Sequence, residues 1–361
     1  MVGPFATLLA ALALVAPSPQ PRMLVAGPAF AGIRVVWGEQ QERLSILRAW
    51  PDASLLWEDG SSWFAGPLAG SPLLVAFSRS YDGCPGQPGV ACPVETQTLA
   101  GPPRGSLRPL SAAERCSAGG PSRRLAVSGS LVAFLELGCD RSAPSVTVHQ
   151  GSRTVFRRQS VACCDVALAG RYLAWRSGDS VDVLDLNAHR LLYRVNPPPG
   201  EPIAAFDVQS DGALAVILGP PNGRATLAWR APAAPALHRL RLGALLAPQG
   251  RAVRIVGDRI VVEAAARSRS ASQLVVTDLR GHLRVLARFS ASVERVGAFD
   301  AAAEHVTWAS RHITGTHVDC PPPGQERPCR LLKSGTETVW LAGLRSGTPR
   351  PIARWAFTDA P

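Results

Sequence analysis

Residues 165–195 read DVALAGRYLAWRSGDSVDVLDLNAHRLLYRV, four short apolar segments separated by turns. The segments are Asp165 to Ala169, Tyr172 to Arg176, Ser180 to Leu186 and Arg190 to Val195. Each is too short for a helix and is rich in the branched and aromatic residues that fit a pleated surface. Four antiparallel strands joined by tight turns make one propeller blade.

The centre of this unit, Leu173-Ala174-Trp175, recurs along the chain as an aliphatic residue, a small or branched one, then a bulky apolar one. The other copies are Val35-Val36-Trp37, Val75-Ala76-Phe77, Val132-Ala133-Phe134, Leu214-Ala215-Val216, Ile260-Val261-Val262 and Val306-Thr307-Trp308. Their last members lie 40, 57, 41, 41, 46 and 46 residues apart, a period that marks blades or solenoid repeats. Gly or Pro interrupts nearly every window long enough for a helix, which excludes helical repeats. The chain therefore reads as an all-β, seven-bladed propeller of four-stranded antiparallel blades.

Gly32, Gly70, Gly129, Gly170, Gly212 and Gly257 precede six of the seven cores, each placed to supply the positive φ of a tight hairpin. Ala302-Ala303-Glu304 stands there in the seventh, which predicts a longer or differently built turn. The bulky residues at positions 37, 77, 134, 175 and 308 share one repeat phase and are expected between blades. Trp50, Trp57, Trp63, Trp229, Trp340 and Trp355 fall outside that phase and are the aromatics to search for ligand contact.

The expected organisation is a leader over residues 1–22, one propeller over 23–355 and a tail over 356–361. The run from Phe5 to Ala16 (FATLLAALALVA) followed by Pro17 has the form of a signal-peptide core. It is too short to span a bilayer, and no other apolar stretch approaches that length. The mature chain is thus expected outside the cytoplasm, without a membrane span and as a monomer.

Cysteine usage points the same way. Cys84 and Cys92 bracket one Pro/Gly-rich loop (CPGQPGVAC), and Cys320 and Cys329 another (CPPPGQERPC). Neither has the spacing of a metal knuckle, and both read as local disulfides of an oxidising compartment. Cys116, Cys139, Cys163 and Cys164 lie in neighbouring units, where one or two further bridges fit, with the pairing open. Both bracketed loops follow the second strand of their unit, so they should lie on one face of the ring, either side of unit one.

The residues resemble the broad superfamily of exported bacterial propellers, including the TolB-like and WD40-like repeat proteins. Gln209-Ser210-Asp211-Gly212 approaches the S-x-D-G turn of TolB-like blades once, while the Trp-Asp and Gly-His signatures of WD40 repeats are absent. The resemblance implies a fold class, on which binding platforms and several enzyme classes are built.

Chemistry-bearing motifs are scarce. No G-x-S-x-G elbow, Walker loop, H-E-x-x-H helix or Rossmann fingerprint occurs, so no cofactor is expected and no catalytic residue stands out. His305, His312, His317 and Asp319 carry zinc-ligating groups, but read as solvated strand-end residues, and no metal is assigned. Asp182, Asp185, Asp207, Asp278 and Asp300 either line a central channel or cap turns and pair with arginines. The formal charge of +11 comes from arginines scattered along the chain, without the basic stripe of a nucleic-acid groove. The expected function is an exported binding module of the cell envelope, its partner a protein or an envelope component. The alternative is a propeller hydrolase or lyase with a polar site at the channel mouth.

Overall fold

The computed structural model describes residues 22–41, 44–52, 54–82, 94–110, 114–116, 124–136, 144–159, 161, 165–219, 225–240, 252–265, 272–320 and 329–359. They form seven antiparallel sheets in chain order, a seven-bladed β-propeller. Blade one is β1 (Arg22–Ala31), β2 (Arg34–Gln41), β3 (Leu44–Trp50) and β4 (Ser54–Asp59). Blade two is β5 (Ser62–Gly70), β6 (Val75–Asp82) and β7 (Val94–Gly101), its outer edge split between β8 (Arg108–Pro109) and β9 (Glu114–Cys116).

Blade three runs from β10 (Arg124–Ser128) through β11 (Leu131–Glu136) and β12 (Ser145–Gln150) to β13 (Arg153–Arg158). Blade four is β14 (Val166–Ala169), β15 (Tyr172–Ser177), β16 (Ser180–Asp185) and β17 (Arg190–Val195). Blade five is β18 (Ile203–Val208), β19 (Leu214–Leu218), β20 (Thr226–Arg230) and β21 (His238–Arg239). Blade six is β22 (Val253–Val256), β23 (Arg259–Ala265), β24 (Ser272–Asp278) and β25 (Leu283–Phe289), and blade seven β26 (Val293–Ala302), β27 (His305–Asp319), β28 (Arg330–Gly343) and β29 (Arg350–Thr358).

The core is divided among the seams. Seven apolar clusters form, one between each pair of consecutive blades, including Leu24, Phe30, Val35 and Trp37 of blade one against Ala309, Val339 and Leu341 of blade seven. Because each blade is covered on both faces, the core tripeptide of every second strand is buried. Trp37, Phe77, Phe134, Trp175 and Trp308 are all buried there, as the repeat phase predicts. Every sheet is built from one contiguous stretch of chain. Among the described residues the ring is therefore closed by side chains, with no strand exchanged between blades one and seven.

The hairpin glycines separate into two kinds. Gly32, Gly129, Gly170, Gly212 and Gly257 have positive φ. Gly70 does not; a Cβ there would come within 2.3 Å of the Phe30 carbonyl oxygen, so what it permits is close approach of blade two to blade one. The expectation of a different turn in the seventh unit is also corrected. Ala302 pairs with His305 as Ala31 pairs with Arg34, and Ala303 takes the left-handed conformation itself (φ 51°).

The leader segment (residues 5–16) and the cysteines Cys84, Cys92, Cys139, Cys163 and Cys164 lie outside the described residues; Cys116 ends β9. Cys320 and Cys329 form a disulfide. No helix among the described residues is long and apolar enough to cross a membrane.

Candidate functional site

The seven first strands converge on a central cavity of about 1160 Å³, rimmed on one face by the first-to-second-strand hairpins. Its wall is mostly small and apolar; Arg34 and Arg104 also line it, and Asp207 on β18, Arg254 on β22 and Asp300 on β26 form a charged group within it. The two aspartates end the same tripeptide, Ala205-Phe206-Asp207 and Ala298-Phe299-Asp300, at the same blade position. The phenylalanines are buried in the seams with the preceding blades, so strand alternation turns each aspartate toward the next blade, where it borders the cavity.

Each carboxylate fastens its own blade to the next. Asp207 Oδ2 accepts the Ile255 N–H at 2.9 Å, and Asp300 Oδ2 accepts the Phe30 N–H at 2.9 Å. Ile255 and Phe30 are equivalent residues, each two before the hairpin glycine of its blade. Arg254 bonds to one of the pair, its Nε donating to Asp300 Oδ1 at 3.1 Å and its Nη1 to the Val253 carbonyl at 3.1 Å, and acts on Asp207 through its charge.

All three groups keep part of their surface open to the cavity, yet protein surrounds them on every side. That burial pushes the Asp207 carboxyl up to about 6, against the opposing pull of Arg254 and the Ile255 N–H; the nearby Asp300 charge adds to the rise. Burial opposes the Arg254 charge too, but the two aspartates outweigh it and hold the guanidinium above its ordinary value. The arrangement can retain or release one proton near neutrality. Among the described residues lining the cavity no Ser, Thr or Cys is held by a base, as a nucleophile would require.

The other candidate carboxylates are elsewhere. Asp182 binds Arg194 through two bonds, and Asp185 pairs with Arg171. Asp278 accepts from Arg280 N, His282 N and His282 Nδ1 in one turn, with the His282 side chain the main cause of its fall to about 2. The four zinc-type residues are strung along β27, with His305 and Asp319 at its two ends, roughly 45 Å apart at the rise of an extended strand.

On the opposite face, β27 and β28 outrun their neighbours. β26 pairs no further than His312, extended by an Ile313 N–H bond to Ser292 O, and β29 stops at Ser334, with Lys333 bonded to Asp359. The remaining ribbon, Thr314 to Asp319 against Arg330 to Leu332, stands beyond the ring and ends at the Cys320–Cys329 bridge. Val318 and Leu331 are paired across it, each 57% exposed. The second strands of blades two and seven end on this face either side of blade one, as their repeat phase predicts.

A third feature was not legible in the sequence. Glu337 on β28 is fully buried: its Oε2 accepts the Leu24 N–H (2.6 Å) and Trp355 Nε1–H (3.0 Å), and its Oε1 accepts Arg311 Nε–H and Nη2–H (2.9 and 2.6 Å). Burial raises its carboxyl against the pull of those donors. The signal available for the channel was the repeated Ala-Phe-Asp, and for Arg254 a charge inside an apolar first strand. Nothing local marks Glu337.

No protein-family model and no curated protein matches the chain. Among solved structures, the ring is similar to the β-propeller domain of the Trilobed protease from Pyrococcus furiosus, described there as having an open velcro topology. That match has a TM-score of 0.59 and 8% identity over 92% of this chain and 98% of the other. A chain from a structural analysis of two prolyl endopeptidases (TM-score 0.49, 12% identity, 83% of this chain and 50% of that one) and BamB from Moraxella catarrhalis (TM-score 0.45, 11% identity, 80% and 92%) also match. At these identities the likeness establishes the propeller fold alone.

Proposed function

We propose that the chain is an exported binding module of the cell envelope that engages a protein partner through the projecting end of blade seven. The observation that carries this reading is the cross-strand pair Val318 and Leu331, two large apolar side chains left exposed on a ribbon that has no flanking strand among the described residues. An exposed ribbon with open edges is a liability unless something pairs with it. Adding an extended segment of a partner would satisfy its main chain and cover the apolar pair. The Cys320–Cys329 bridge supports a location in an oxidising compartment and holds the ribbon's end in register.

A photo-crosslinking residue placed at Leu331 in the exported protein, in its own cells, tests this. Ile33, 90% exposed on a first-to-second-strand hairpin of the opposite face, is the control. The expected result is one protein adduct from position 331 that is absent from position 33 and lost in Val318→Asp. Equal labelling from both positions, or none, would overturn the proposal.

Asp207 favours a second reading, a hydrolase or lyase working in the channel, because a carboxyl near 6 facing a cavity suits proton transfer. Against it, both channel aspartates are spent on main-chain N–H groups of the next blade. Turnover of a glycan or peptide library abolished by Asp207→Asn would favour the enzyme.

A further inference from the structure

We infer that the groove between the first three strands of blade one and the outer strand of blade seven binds an acidic sugar residue of a polyanionic glycan. The groove is a cleft of about 240 Å³ with Trp37, Trp50 and Trp355 in its walls and Arg22, Arg48 and Arg354 around it. Trp50 and Trp355 lie outside the repeat phase that fills the seams, and both stay partly exposed.

The indoles are held in place by their N–H groups. Trp37 Nε1 donates to Glu39 Oε1 at 2.7 Å and Trp355 Nε1 to Glu337 Oε2 at 3.0 Å, and the two rings lie nearly parallel, 10° apart in plane with centroids 6.4 Å apart. With its donor turned inward and the buried Trp37 ring parallel to it, what Trp355 offers a ligand is ring surface, fixed beforehand, so that little side-chain freedom is lost on binding. Amphipathic ring compounds such as sugars have an apolar C–H face suited to that surface.

The charge balance fixes the rest of the chemistry. The buried Glu39 is spent on Arg48 (3.1 Å) and Glu337 on Arg311 (2.6 Å). Arg22 and Arg354 have neither a carboxylate nor a hydrogen-bond acceptor among the described residues, and the Arg350 guanidinium lies 5.3 Å over the Trp50 ring. Two guanidiniums without carboxylate partners in the groove and a third over one of its tryptophans, on a chain of net charge +11, fit a ligand that repeats its negative charge. A polymer of uronic acids carries one carboxylate and one apolar ring face in each unit. This site is separate from the projecting ribbon of blade seven.

The test is a tryptophan-fluorescence titration of the full chain with a four-unit oligogalacturonate. The neutral maltotetraose and benzoate are the controls. Saturable quenching by the uronate alone is expected. Arg354→Gln and Trp50→Leu should each weaken it roughly tenfold with the near-ultraviolet dichroism unchanged apart from the lost indole. Arg345→Gln, which removes the same charge from the Asp258 and Glu304 cluster on another part of the ring, should leave it unaltered. No saturable quenching, equal weakening by Arg345→Gln, or binding of benzoate or maltotetraose as tight as the uronate would each overturn the assignment.

Discussion

The carboxylate of Asp300 receives the main-chain N–H of Phe30 at 2.9 Å, joining residues 270 positions apart across the seam between the last blade and the first. The same bond is made by Asp207 to Ile255 between blades five and six. The device that closes the ring is therefore one that also operates inside it. At the closing seam it is reinforced by Glu337, which reaches Leu24 from the other side of the same apolar cluster.

Asp300→Ala removes the acceptor of both Phe30 N–H and Arg254 Nε–H, leaving a guanidinium short of its partner inside the ring. The expected loss of stability is about 2–4 kcal/mol. Asp207→Ala strands one N–H group, at about 1–2 kcal/mol. Denaturant midpoints measure both. Losses no larger than for the turn residue Asp179 changed to Ala would contradict the fastening role.

Asp207 also predicts a pH dependence. Its folded value, about 6, lies above the ordinary 3.8, so folding favours the neutral carboxyl. That contribution is complete below about pH 3.8 and is lost as pH rises through about 6. Asn at this position is neutral throughout, so Asp207→Asn should gain stability relative to the natural chain as pH rises across this window. Urea midpoints at pH 4, 5, 6 and 7 follow the difference, and a difference constant over that range would show that the group does not titrate there.

Glu337→Ala leaves the mostly buried Arg311 without its main partner and frees both Leu24 N–H and the Trp355 indole. Breaking a buried pair from one side costs about 3–5 kcal/mol. Glu337→Gln, which keeps one carbonyl acceptor, should lose less. Hydrogen exchange locates the effect: the Leu24 amide should lose protection first, ahead of amides in the seam between blades four and five.

The double change Cys320→Ser with Cys329→Ser opens a short loop at the end of the ribbon, worth at most about 3 kcal/mol in chain entropy. Because the ribbon stands beyond the ring, the opening should be local. Exchange at the Val318 and Leu331 amides should quicken, while Trp308 and Val339, buried within the ring on the same strands, keep their protection. Uniform quickening along β27 and β28 would mean that the bridge supports the whole blade.

The number of blades, the four-strand unit and the burial of Trp37, Phe77, Phe134, Trp175 and Trp308 were legible in the sequence. Each depends on a pattern inside some forty residues: alternation within a strand, a turn after it, and a core tripeptide repeated at one phase. Position in the repeat also told which face the Cys320–Cys329 bridge occupies, since antiparallel strands alternate direction without exception in such a unit. The turn at Ala303 was misread because glycine preference is a tendency of the free residue. A left-handed alanine persists where the strands on both sides hold it, a cost the surrounding sheet absorbs.

What only the tertiary structure decided is which side chains meet across seams. Asp300 with Phe30 and Arg254, Glu337 with Leu24 at a separation of 313 residues, and Trp37 with Trp355 are brought together by closing the ring. No local preference encodes such pairs. They follow from the geometric requirement that seven twisted sheets return to their starting point, which places blade seven against blade one. The same closure turns the first strands inward, so that Asp207, Arg254 and Asp300, on three different blades, come to share one cavity, where each of the other two acts on the Asp207 carboxyl.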